Sequence, residues 1–95
     1  VFVNMTADWC ITCLANEKLA LSSDRFLTML QQQEITYLKG DWTNYNPEIT
    51  RLLNKHNRSG VPLYLFYPKG TGSPHILPQL LTENIVIEAI SAKIE

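Results

Sequence analysis

The stretch "TADWCITCLANE", residues 6–17, holds both cysteines of the chain, Cys10 and Cys13, with two residues between them. Such a pair supports three kinds of chemistry: dithiol–disulfide exchange, half of a metal site, or a covalent staple. A structural zinc site needs about four ligands, usually in two close pairs. The other soft ligands, His56 and His75, are far apart in sequence and form no close pair, so no metal is expected. A disulfide stabilises more when it closes a longer loop, so this spacing makes a poor staple. Two unrelated buried thiols remain an alternative. Exchange is the chemistry that uses the spacing, because it needs one thiolate to attack and a second thiol within reach to release the product.

The elements around the pair favour exchange. "VFVNM" reads as a strand buried on both faces, with Asn4 its one strongly polar residue. A helix follows, on which Cys10, Cys13, Glu17 and Ala20 share one stripe, while Ile11, Leu14, Lys18 and Leu21 form the adjacent one. A cysteine at the start of such a helix meets unpaired backbone N–H groups and the positive end of the dipole, both of which favour a thiolate. Farther along, Gly60-Val61-Pro62 precedes a continuous apolar strand. Proline there suits a strand start, and an X-Pro bond adopts the cis form at modest cost. With Cys-x-x-Cys upstream, a cis Val61–Pro62 bond facing the cysteines is expected.

Between these two motifs, Ser22-Ser23-Asp24 caps a second helix, Arg25 to Gln33, and Ile35 to Lys39 reads as a strand. Asn46-Pro47-Glu48 starts a helix that runs to Asn57 with Ile49, Leu52 and Leu53 inward. After the Pro62 strand come a turn at "PKGTGSP", a short strand "HIL", and a last helix capped by Thr82 with Ile85, Val86, Ala89, Ile90 and Lys93 along it. The order β-α-α-β-α-β-β-α implies an α/β fold: a central mixed sheet with helices on both faces, opening with a parallel crossover and closing with an antiparallel hairpin.

Ninety-five residues and a 45% hydrophobic fraction fit one domain, 1–95, able to bury a core without disulfide scaffolding. A net charge of -1 argues against nucleic acid as a partner. No apolar run reaches membrane-spanning length, and "VFVNMT" has no signal-peptide character. The chain begins inside a strand without an initiator Met, so it is expected to be excised from a longer protein.

On "VFVNMTADWCITCLANE", "LSS", "DWTNYNPEITRLLNKHNRSGVPLYLFYPKG" and "LPQLLT", the chain resembles thioredoxin-fold proteins. More narrowly, it resembles the C-terminal periplasmic domain of the DsbD-type thiol:disulfide interchange proteins, ScsB-like members included. The resemblance implies a thioredoxin-like fold and a protein-disulfide reductase. Electrons would pass from a membrane-embedded domain of the same protein to periplasmic thiol-disulfide proteins. It implies Cys10 as nucleophile, Cys13 as resolving thiol and Pro62 as the cis proline, with no cofactor beyond the Cys10–Cys13 disulfide. It also implies a monomeric soluble domain of an inner-membrane protein, located in the periplasm.

The chain departs from the pattern at two places. Asn4 stands where thioredoxins commonly carry a buried Asp, and Leu14 stands where Lys is frequent. Glu17 matches an acidic position of this branch and is expected to handle a proton during exchange. Cys10 is expected to be the more exposed of the two and Cys13 shielded. Val61 is expected to offer backbone to a docking partner, and Trp9 to close one side of the site. Asn4 is expected to bond backbone or an ordered water beneath the pair. A non-redox peptide-binding module and a reductase dedicated to cytochrome c maturation are the alternative functions.

Overall fold

Alternation along two central strands sets the layers of this domain. The computed structural model describes residues 1–69 and 72–94, so the turn expected over 68–74 lies partly outside the described residues, as does the side chain of Lys93. The elements are β1 (Phe2–Thr6), α1 (Ile11–Leu19), α2 (Asp24–Gln32), β2 (Tyr37–Asp41), α3 (Pro47–Lys55), β3 (Leu63–Phe66), β4 (His75–Ile76) and α4 (Glu83–Ile94). They form a four-stranded sheet in the order β2-β1-β3-β4. β1 and β2 are parallel, whereas β1 with β3 and β3 with β4 are antiparallel. The expected mixed sheet and order of elements are thus both present.

Successive side chains of a strand point to opposite faces. Phe2 of β1 with Tyr64 and Phe66 of β3 join Ala20, Phe26, Val86 and Ile90, so α1, α2 and α4 cover one face. Val3 of β1 with Leu63 and Leu65 of β3 join Trp42 and Leu53, so α3 covers the other. Phe2 meets Phe26 edge-on at 5.3 Å between ring centroids and stacks on Tyr37 at 5.9 Å. On the α3 face the sheet runs very close to its neighbours at Gly40, where a Cβ would run into the Met5 sulfur.

The helix starts follow from side-chain caps. Ser23 accepts from the Phe26 N–H, Asn46 from the Glu48 and Ile49 N–H groups, and Thr82 from the Ile85 N–H. Each satisfies donors that the first helical turn leaves free. β2 begins two residues later than the sequence pattern implied. Glu34 has a positive φ of 53°, and the Ile35 N–H donates to the Leu30 carbonyl at 2.9 Å. Ile35 is therefore held by the end of α2 and cannot join the strand. The helix expected to run to Asn57 also ends early, at Lys55, because Asn57 turns left-handed with a φ of 60°.

Candidate functional site

β1 delivers the chain directly to the cysteines. After Thr6 the backbone turns through Ala7-Asp8-Trp9, and the Cys10 N–H closes the turn on the Ala7 carbonyl. The loop after β2 braces this turn. The Asp8 N–H donates to Thr43 Oγ1 at 2.9 Å, and Trp9 Nε1 donates to the Thr43 carbonyl at 3.0 Å. Thr43 is fixed in turn by Asp41, which accepts from its N–H and hydroxyl, and those bonds hold the Asp41 carboxyl below its ordinary value.

Cys10 is the N-cap of α1, and its Sγ accepts from the Cys13 N–H at 3.1 Å. Cys10 and Cys13 are joined by a disulfide with Cα atoms 5.2 Å apart, inside the normal range. Cys13 is fully buried, as expected. Cys10 is the more exposed of the two, as expected, although it is itself only 7% exposed. Ala7 and Val61 pack against the pair.

The Val61–Pro62 bond is cis, and Pro62 is buried directly ahead of β3. Around this centre the surface is apolar. Ile11 is 83% exposed, and Trp9, Leu14 and Tyr45 are about half exposed or more. Trp9 stacks on Tyr45 at 5.7 Å and leans on Trp42 at 5.9 Å, so the Trp9 ring is held by both an aromatic group and the Thr43 carbonyl.

The polar residues on α1 and the strands beneath it form separate hydrogen-bonded groups. Glu17 pairs with Lys39 Nζ at 2.7 Å through one oxygen and accepts from Thr6 Oγ1 at 3.2 Å through the other. That bond keeps the Lys39 ammonium above the ordinary lysine value. Asn4 is fully buried, and its Nδ2 donates to Tyr37 OH at 2.8 Å. The partner is thus a side chain of β2 rather than the backbone or water that the sequence suggested. Asn4 Oδ1 has no hydrogen-bond partner among the described residues. Burial raises the Tyr37 phenol, against the opposing pull of the Asn4 bond.

Asn16 was not singled out by sequence reasoning, although it lies three residues beyond Cys13 on the same helix. It is buried and donates to Tyr64 OH at 2.9 Å and to the Gln79 carbonyl at 2.8 Å, and it accepts from the Leu81 N–H at 3.0 Å. The cysteine-bearing helix is therefore tied to β3 and to the segment ahead of α4. Burial pushes the Tyr64 phenol up to about 12. A polar residue at a core-facing helical position was the available signal for Asn16. Lys39, Tyr37 and Thr43 gave none, because their partners are distant in sequence.

Among the described residues, no three His, Cys, Asp or Glu side chains converge to hold a metal ion. No described helix is long and apolar enough to cross a membrane.

Comparison with known proteins agrees with this geometry. A family model described as thioredoxin-like matches residues 1–69. The thiol:disulfide interchange protein DsbD of Yersinia pestis (strain Pestoides F) is 36% identical over 67 residues, a match covering 70% of this chain and 11% of that protein. Among solved structures, the oxidised C-terminal domain of Neisseria meningitidis DsbD superposes with a TM-score of 0.80 at 22% identity, covering 98% of this chain and 78% of that one. A thioredoxin from Thermus thermophilus superposes with a TM-score of 0.71 at 15% identity, covering 96% and 70%. With a mixed sheet, a Cys10–Cys13 disulfide at the N-terminus of α1 and these relatives, the chain belongs to the thioredoxin-like family and is DsbD-like in type.

Proposed function

We propose that the domain is a thiol-disulfide oxidoreductase that works as a protein-disulfide reductase. The observation that carries this reading is the Cys10 sulfur at the N-cap of α1, where it accepts the Cys13 N–H within reach of the second sulfur. In the dithiol form the same N–H and the helix dipole favour a Cys10 thiolate. That thiolate attacks an acceptor disulfide, forming a mixed disulfide and releasing one acceptor thiolate. Cys13 then loses its proton and attacks Cys10 Sγ. The Cys10–Cys13 bond forms, and the second acceptor sulfur leaves as a thiolate. Two electrons pass to the acceptor, and a donor dithiol restores the domain by the reverse sequence.

Each remaining residue has a part in this reading. Glu17, one turn past Cys13 on α1, takes the Cys13 proton. Asn4, buried and uncharged in β1, adds no second negative charge to the site. Val61, packed against Cys10 and Cys13, offers backbone to the acceptor chain beside Pro62. Trp9, held by Thr43 and Tyr45, walls one side. The domain takes electrons from a membrane-embedded domain of the same protein and gives them to periplasmic thiol-disulfide proteins. It works as a periplasmic domain of an inner-membrane protein and uses no cofactor besides its own disulfide. The similarity to DsbD supports that arrangement.

Trapping tests the assignment. In the full-length protein Cys13→Ser is expected to accumulate mixed disulfides on Cys10, whereas Cys10→Ser accumulates none. In the reduced domain Cys10 is expected to alkylate first. Equal alkylation of both thiols, or trapping through Cys13, refutes these roles for the two cysteines.

A further inference from the structure

The carboxylate that the exchange reaction uses is not free. Glu17 sits four residues beyond Cys13 on α1, and such positions lie on one helix face with about 5–6 Å between Cβ atoms. A bare carboxylate at that range would oppose formation of a thiolate. Both Glu17 oxygens are nonetheless engaged from the sheet, one by Lys39 of β2 and the other by Thr6 of β1. The register puts Lys39 beside Asn4, so its side chain rises on the α1 face of the sheet, as do those of its neighbours Tyr37 and Asp41. Glu17 and Lys39 both line a cleft of about 310 Å³ whose other walls are uncharged, among them Leu21, Phe26, Leu27 and Tyr37.

We infer that Lys39 is a positioning residue of the redox centre. Its ammonium holds the Glu17 carboxylate against the sheet and cancels that charge as felt by the cysteine thiols. The inference rests on the proposed role of Glu17 as acceptor of the Cys13 proton. It changes the expected behaviour of the site. An isolated Glu17 would oppose the thiolate with its full charge. A Glu17 paired with Lys39 opposes the thiolate less, because its charge is offset and its carboxylate is held toward the sheet.

The other titratable groups facing the pair do not replace Lys39. Tyr37 and Asp41 on β2 and Tyr64 on β3 are neutral or negative when they titrate, and α2 contributes Phe26, Leu27 and Leu30. The Glu17 hydrogen bond keeps Lys39 charged at any pH where thiols titrate. Its side chain is 53% exposed against 19% for Glu17, so solvent screens the pair in part, and breaking it is expected to cost little stability.

A double-mutant cycle on the reduced domain tests this, read by the ultraviolet absorbance of the thiolate and by the pH profile of alkylation. Lys39→Gln is expected to raise the apparent thiol pKa by about one pH unit, the scale set by one uncompensated charge at this range. Glu17→Gln is expected to lower it. The double variant should titrate close to Glu17→Gln alone, and Lys39→Arg should restore the native curve. A thermal melt of the oxidised variants checks folding. If Glu17→Gln shifts the titration and Lys39→Gln does not, Lys39 has no such role and the reading of Glu17 stands. An equal rise from Lys39→Gln with Glu17 absent shows a direct field rather than action through Glu17, and overturns the inference. If Glu17→Gln changes nothing, both readings fall.

Discussion

Replacing Asn16 by Leu should be among the most destabilising single changes near the cysteines that touch neither sulfur. Leucine matches the shape of the amide approximately but removes three hydrogen bonds, to Tyr64 OH, the Gln79 carbonyl and the Leu81 N–H. A buried donor or acceptor stranded in this way costs about 1–3 kcal/mol. The Leu81 N–H is buried and loses its partner, so it carries close to the full penalty. Tyr64 is fully buried and loses a donor, while the Gln79 carbonyl is partly exposed and rehydrates. The sum is about 3–4 kcal/mol, a large share of the ~5–15 kcal/mol that holds a domain of this size together. With a urea m-value of roughly 1–2 kcal/mol/M, the midpoint should fall by about 2 M at unchanged slope. Urea melts of the oxidised proteins, followed by far-ultraviolet circular dichroism, make the measurement. Tyr64→Phe removes one of the three bonds and should cost only about 1 kcal/mol. A loss below about 1 kcal/mol for Asn16→Leu would show that α1 is not pinned by this amide, and the reasoning from stranded groups would fail.

Two pH effects follow from the same buried layer. Asn4→Asp places a carboxyl at a fully buried position, where desolvation raises its folded-state pKa above the unfolded value of about 3.9. The unfolded chain then releases its proton first, so the stability difference from wild type should grow as pH rises from about 4 towards neutrality; melts that differ by a constant amount would contradict it. Tyr64 behaves alike at the alkaline end: its phenol is raised to about 12 by burial, so stability should be lost between pH ~10 and about 12, and Tyr64→Phe should flatten that loss.

Local pattern was enough for the frame of the site. Apolar β1 and β3, the Cys-x-x-Cys at the start of a helix and the proline before β3 are features of neighbouring residues, governed by burial, capping and backbone geometry. The Cys10 sulfur at the N-cap of α1 and the cis Val61–Pro62 bond could be read from a few positions each. The start of β2 is not legible in the same way, because the left-handed Glu34 and the tie from Ile35 to Leu30 belong to the way α2 unwinds, which periodicity does not encode.

Tertiary structure alone decided where the polar groups went. Sequence marked Asn4 as a buried amide needing a partner, but only the parallel register of β1 and β2 supplied Tyr37. It placed Glu17 on the cysteine stripe, yet Lys39 lies 22 residues away in the chain and reaches the carboxylate because β2 returns beside β1. Asn16 binds Tyr64, Gln79 and Leu81, all more than 45 positions later. The near burial of Cys10 has the same origin, since Val61 arrives from the far end of α3 to pack against it. A residue's helical or strand position is set by its neighbours, whereas a buried hydrogen bond or ion pair is set by which distant strand the chain folds against it.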